Sequence, residues 1–282
     1  MWRYKSLVVL GLGLFFAILL FVQMGMYVLN HLLGTMINLN IFQLCISLFR
    51  GNTVVYHSVL LGVNTFIAYT CFILCKKVVL QVIDINRVKR KIALLKNSQL
   101  TEQINKKYYR KHMDIHVINC HEHIAFTFGF FKPTIVLSTE LIEMLDHAEL
   151  EAVIYHESAH QRYFDPLKVF VLQMISEVMW YIPLTKWAYQ NYKIMIELAA
   201  DEYAVNLMGS ELGLGSALLK LVKTRLKGNV TSVLVPFADG TVDFRIKQLI
   251  EPESSIPVKL QTKSVFISIN MILLLMVLMV IV

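Results

Sequence analysis

The sequence predicts a mainly helical α+β protein built into a membrane, and three observations carry the prediction. Of its 282 residues, 56% are hydrophobic and only 17% charged, which is too apolar for an ordinary soluble domain. The apolar residues gather into uncharged runs long enough to cross a bilayer, towards both ends of the chain. Between them lies a stretch of strand composition, then two helical segments with histidines and carboxylates at four-residue spacing.

The membrane segments come first. No charged side chain occurs from Leu7 to Leu29, enough to span a hydrocarbon core of roughly 30 Å with some tilt. A second uncharged run covers Thr53 to Cys75, and a third Ser264 to Val282. Arg3 and Lys5 could open a secretory signal, but Phe21-Val-Gln-Met-Gly-Met26 offers no small-x-small cleavage site. The first run is therefore expected to stay as an anchor. Cys45, Cys71 and Cys75 lie in apolar segments and read as small buried hydrophobes, not as a disulfide framework.

Charge sets the expected orientation. Between Lys76 and Lys111 eleven lysines and arginines stand against only Asp84 and Glu102, a local excess larger than the +7 of the whole chain. Such a cluster beside a span marks the cytoplasmic side and attracts anionic lipid headgroups. It lacks a nucleic-acid recognition motif, so no direct nucleic-acid binding is expected. Arg3 and Lys5 then also lie inside, and His31 to Asn52 reads as an external or interfacial segment. The expected division is an N-terminal transmembrane hairpin at 1–75 and a cytoplasmic domain at 76–257 with a membrane-associated segment at 166–195. A C-terminal transmembrane helix at 258–282 ends outside, with no domain beyond it.

Within the middle domain a basic helix is expected to run to about Lys96. "FTFGFFKPTIVLS" (Phe126–Ser138), rich in aromatic and β-branched residues and punctuated by Gly129 and Pro133, predicts two short strands or a hairpin. Ser138–Leu145 predicts a short helix. Asp146 with Glu149 three residues on is an N-terminal capping pattern for a longer one.

That longer helix carries Tyr155-His-Glu-Ser-Ala-His160. Positions i and i+4 share a helix face, so His156 and His160 can aim ring nitrogens at one Zn²⁺, one ion per chain. Glu157 is placed to take a proton from an attacking water. A catalytic zinc needs a third protein ligand and an open position. Ile196-Glu-Leu-Ala-Ala-Asp-Glu202 offers one: Glu197 and Asp201 share a face, and Ala199 and Ala200 between them permit close packing. Glu197 would ligate, and Asp201 would accept the free ring N–H of a histidine and fix its tautomer. The rival third ligand is Glu177, in the apolar "QMISEVMWYIP". Cys120-His-Glu-His123 reads as an exposed loop, and His112 and His116 as surface residues.

A shared metal has a topological consequence. Pro166 to Leu184 is apolar enough to suggest a span, yet one crossing would put Glu197 on the opposite side from His156. The segment from Pro166 to about Met195 is therefore expected either to dip into the bilayer and return, or to pack along its surface as a helix pair. Trp180, Pro183 and Trp187 suit an interfacial turn.

In order along the chain, "FTFGFFKPTIVLS", "LEAVIYHESAH", "WYIPL" and "ELAADEYAV" resemble the BlaR/MecR-type integral-membrane zinc metallopeptidases, which are related to the HtpX and CAAX-prenyl endopeptidases. The resemblance covers approximately residues 76–250, with the tight motifs within Phe126–Asp201. It implies a gluzincin-type fold: two metal-binding helices and a small sheet whose edge strand, here near Ala125, Phe126, Thr127, Phe128 and Gly129 and on to Phe131, binds an extended peptide. It implies His156, His160 and Glu197 as zinc ligands, Glu157 as general base and Asp201 behind a ligand. Arg245 in "DFRIKQLI" matches an Arg-Ile that closes the family's peptidase region. Tyr192, Tyr203 and Arg245 all stay open as oxyanion-stabilising groups. Antibiotic-sensing members continue into an extracellular penicillin-binding domain, whereas this sequence stops at Val282, so direct β-lactam sensing is not expected. The implied activity is cleavage of a cytosolic or membrane-tethered protein, a DNA-binding repressor by the family's pattern. Membrane-protein quality control and non-catalytic transduction are the alternatives.

Overall fold

In the computed structural model, residues 1–33, 53–110, 112–227, 241–251, 262–263 and 265–271 are described. The expected interfacial segment His31–Asn52 lies outside them from residue 34 onward, as does the closing apolar run beyond Met271. The described chain is mostly helical with one small sheet. It divides into two units, one of Met1–Leu7, Val82–Phe170 and Asn191–Pro257, the other of Val8–Gln81, Val171–Gln190 and Val258–Val282.

Among the described residues, two helices are long and apolar enough to cross a membrane: α1 (Trp2–Leu33) and α2 (Thr53–Leu95). At 1.5 Å per residue the 43 residues of α2 reach about 65 Å, roughly twice the hydrocarbon thickness. Its uncharged first half is long enough for that thickness, and its second half carries Lys76–Lys91, where charge favours water. Cys71 and Cys75, expected to be buried, are exposed on α2. A span turns apolar side chains outward as readily as inward, so hydrophobicity did not report burial there. In the same unit the Tyr27 hydroxyl donates to Asn64 Oδ1 at 3.0 Å, joining α1 to α2. Glu177, the carboxylate in an apolar run, is ion-paired with Lys77 and accepts from Gln173.

The other unit holds the sheet. After α3 (Ser98–Lys107) come β1 (Ile115–Ile118), β2 (Ala125–Phe128) and β3 (Thr134–Ser138), in spatial order β1-β3-β2. β2 and β3 are the expected hairpin, antiparallel with Phe126 opposite Val136; β1 lies parallel on the far side of β3. β1 was not predicted. Four residues, one of them His116, are too few for a visible alternation, yet Ile115, Val117 and Ile118 are at most 1% exposed. Its partner β3 contributes Ile135 and Leu137 to one face and Val136 to the other. β2 is only half-buried along its length and is an edge strand of the sheet among the described residues.

After the sheet come α4 (Thr139–Met144), α5 (His147–Tyr163), α6 (Asp165–Val178) and α7 (Pro183–Met208), the last two shared between the units. Ser138 caps α4 by accepting from Leu141 N–H. Asp146 and Glu149 form the anticipated capping box at the start of α5. Leu150, Val153 and Ile154 of α5 pack on Ile115, Val117, Ile135 and Leu137. The apolar segment after α5 runs out as α6, turns at Met179–Ile182, and returns as α7 with Pro183 in its first turn, where a missing N–H costs least. The segment expected to reverse is therefore two helices joined by a short turn. α8 (Leu212–Lys227) and α9 (Val242–Ile250) follow.

The hairpin turn needs Gly129. Its φ is +105°, and a Cβ there would stand 3.0 Å from the Lys132 carbonyl oxygen. Gly129→Ala is expected to destabilise by roughly 1–3 kcal/mol. Gly215→Ala, in the first turn of α8 with open space around it, should be neutral or stabilise by up to about 1 kcal/mol. Thermal unfolding of the detergent-solubilised variants checks both signs.

Candidate metal centre

The capping box fixes where α5 begins, and helical spacing puts His156 and His160 on one face, both under 10% exposed. Opposite them, α7 supplies Glu197 and Asp201 from one face. Ala200 between them is 1% exposed and lets the helices approach closely. Glu197 Oε2 lies 3.4 Å from His156 Nε2, and Glu197 Oε1 lies 3.6 Å from His160 Nε2. The two Nε2 atoms are 3.3 Å apart.

What sits behind each imidazole fixes its tautomer. His156 Nδ1–H donates to Asp201 Oδ1 at 2.8 Å. His160 Nδ1–H donates to Asp165 Oδ2 at 3.0 Å. When the imidazoles are neutral, both Nε2 atoms then carry their lone pairs inward, towards each other and towards Glu197. Each carboxylate is in turn gripped by an arginine fork. Arg245 Nε and Nη2 donate to Asp201 at 2.8 and 2.7 Å, and Arg245 Nη1 stands 3.3 Å from Glu197. Arg3 Nη1 and Nη2 donate to Asp165 at 3.0 and 2.7 Å. The centre is thus two parallel series, His156–Asp201–Arg245 and His160–Asp165–Arg3.

Asp165 reaches His160 because the chain reverses sharply after α5. Phe164 ends that helix in the left-handed region, φ 54° and ψ 38°, and returns the next residue beside the last turn. Glu157, on the same helix, has its carboxylate held from the sheet: Thr127 Oγ1 lies 2.8 Å from Glu157 Oε2 and 2.9 Å from its backbone oxygen.

The residues fit a metal ion. Zn²⁺ bonds of about 2.0–2.1 Å in a tetrahedron imply donor–donor edges of about 3.3–3.4 Å, close to the 3.3, 3.4 and 3.6 Å measured here. His156, His160 and Glu197 are also the one such donor group among the described residues. Charge agrees. Glu157, Glu197, Asp201 and Asp165 set four negative charges against Arg3 and Arg245, an excess of two that a dication would balance. Without an ion, protons do this work. Burial and Arg245 push His156 down, but Asp201 and Glu197 outweigh them and raise it to about 9. His160 is raised by Glu197 and Asp165 despite its burial. Burial pushes Glu197 up, yet His160, His156 and Arg245 hold it well below the usual carboxylate range.

Of the residues singled out in the sequence, His156, Glu157, His160, Glu197, Asp201, Arg245 and Thr127 come together. Tyr192 is buried with its hydroxyl 3.5 Å from Asp165 Oδ1, behind His160. Tyr203 packs edge-on against Tyr163 instead, ring centroids 6.5 Å apart. Glu177 is taken up by Lys77. His116 sits half-buried on β1, and Cys120–His123 forms a loop in which His121 is exposed beside Glu140. Asp165 and Arg3 were missed. Asp165 had a signal, a lone carboxylate five residues past His160 and just before Pro166; Arg3, more than 150 residues away, had none.

One comparison with known proteins is informative. The family model described as BlaR1 peptidase M56 matches residues 43–249, well over half the chain. No curated protein matches it.

The proton bookkeeping predicts a pH dependence. His156 is raised from 6.5 to about 9, so its contribution to the stability of the metal-free chain is complete below about pH 6.5 and lost as pH rises through about 9. Metal needs the neutral imidazoles, so its contribution moves the other way. Between pH 6.5 and 9 the Tm of chelator-treated protein should fall, while the increment on adding Zn²⁺ grows. A constant or shrinking increment would refute this account of the site.

Proposed function

Because this chain belongs to the BlaR1 peptidase M56 family, we propose that it is a membrane-embedded zinc endopeptidase that hydrolyses peptide bonds at the cytoplasmic face. The observation that carries the reading is the convergence of three metal-compatible donors with Glu157, whose carboxylate is oriented from the edge strand β2.

In this reading His156, His160 and Glu197 would hold the zinc ion. When bound, zinc supplies Lewis acidity that activates water and polarises a scissile carbonyl. The rest falls to the chain's own groups. Glu157 Oε2 takes the proton of the attacking water and returns it to the leaving amine nitrogen. Thr127 Oγ1–H holds that carboxylate in one rotamer between transfers. Asp201 and Asp165 keep both imidazoles in the metal-binding tautomer. An extended substrate segment would pair with the outer edge of β2 across Ala125–Phe128, an edge strand of the three-stranded sheet. Arg245 is turned towards Asp201 and Glu197, so its first task is to hold these carboxylates.

The cytoplasmic assignment rests on the basic second half of α2, and the two candidate spans support a multi-pass membrane protein. The substrate class we favour is a signalling protein, a DNA-binding repressor first, with lipid headgroups as the other standing partner.

Glu157→Gln tests the reading, because it removes the proton acceptor and leaves the donors. Zinc content should stay near one per chain while cleavage falls by at least about a hundredfold. Glu197→Ala should lose the metal, and Glu177→Ala should not. In cells, comparing protein N-termini between wild type and Glu157→Gln should reveal one or a few cut sites in the wild type only. A broad set would move the function to quality control; no difference would leave a transducer without turnover.

A further inference from the structure

The two histidine series are built alike, yet one is completed from an unexpected place. Asp201 is closed by Arg245 of α9, whereas Asp165 is closed by Arg3, in the first turn of the helix that continues as the first candidate span. Arg3 is firmly seated. Besides its two-pronged grip on Asp165, its Nη2 lies 3.4 Å from the Tyr163 carbonyl oxygen, and its guanidinium stacks 3.8 Å over the Tyr163 ring. Asp165 is 2% exposed and engages His160, Arg3 and Tyr192 together. Truncating Arg3 would strand a buried carboxylate whose remaining charged contact is the ligand imidazole itself.

We propose that Arg3 is a positioning residue of the metal centre: by locking Asp165 it fixes the ring of His160, so the start of α1 is a working part of the site. Two effects follow from geometry. Parallel N–H···O bonds set the plane of the carboxylate, and with it the direction in which His160 Nε2 points. The guanidinium also offsets the Asp165 charge, which keeps the carboxylate from drawing the imidazole out of line. The helix carrying Arg3 runs on without a break through Leu29, so any displacement of its first turn is delivered to a ligand through two contacts. That is a mechanical link between a candidate membrane helix and the chemistry.

The inference rests on the metal reading above, and its test separates the two. Full-length protein is purified in detergent and stripped of metal. Zn²⁺ affinity is then measured by competition with a chromophoric chelator, and the visible bands of the Co²⁺ form report ligand geometry. Arg3→Ala should weaken Zn²⁺ binding by about 10–100-fold and alter the Co²⁺ bands. Arg3→Lys keeps the charge but not the fork, and should lose at least about threefold. Lys5→Ala removes an equal charge from the same turn and should stay within about twofold of wild type. Wild-type affinity and bands in Arg3→Ala overturn the proposal, as does an equal loss in Lys5→Ala. If Arg3→Ala does not fold, Arg3→Lys decides, and wild-type affinity in it overturns the proposal. A wild-type chain that binds no Zn²⁺ sinks the metal reading and this inference together; binding that Arg3 does not influence sinks this inference alone.

Discussion

Two imidazole nitrogens held 3.3 Å apart with their lone pairs facing inward form an arrangement that cannot stand empty. Lone pair against lone pair repels, and Glu197 adds a carboxylate to the same small volume. Something positive must lie among the three. The buried carboxylates around them exceed the guanidiniums by two charges, so the missing positive charge amounts to two protons or one dication. Both histidines being pushed up towards the protonated form is the same demand expressed without an ion. Metal binding is then an exchange, protons out and cation in, and the site's affinity is set by how well the second imposes itself on a geometry the first can also satisfy.

Much of the surrounding fold can be read as service to that constraint. Four-residue spacing on two helices supplies donors in pairs, and Ala199 and Ala200 let the helices close to ligand distance. The chain comes back after α6, and that return brings Glu197 of α7 to the histidines of α5. The left-handed Phe164 has a local purpose too. Ending α5 in αR geometry would send Asp165 onward along the helix axis, away from His160, and the αL residue returns it. The strain, roughly 1 kcal/mol, is offset by a buried carboxylate that finds three partners.

Legibility in the sequence followed the range of each interaction. His156, Glu157, His160, Glu197 and Asp201 were readable because i, i+4 spacing is a local property of one helix. The hairpin was readable from Gly129 and Pro133 between β-branched runs, and α5 from its capping box. β1 was not, since four residues beside a histidine carry no period and its burial comes from β3 and α5. Burial misled at Cys71 and Cys75, where an apolar helix does not distinguish inside from outside. Arg3 could only read as a topogenic charge, because its partner lies more than 150 residues further on. Arg245 was noticed by resemblance and left open as an oxyanion-stabilising group, and its contact with Asp201 exists only after folding.

The arginines also bear on how such a centre can be both stable and adjustable. A carboxylate behind a ligand histidine raises the ring's basicity, and a guanidinium on that carboxylate takes part of the effect back. With Asp201 the compensation comes from α9, in the unit that holds the site. With Asp165 it comes from the first turn of a helix whose continuation is long and apolar enough to span a bilayer. The two ligands are therefore alike in chemistry but unlike in what can disturb them. His156 is backed through Asp201 by Arg245 of α9, and His160 through Asp165 by Arg3 at the start of α1.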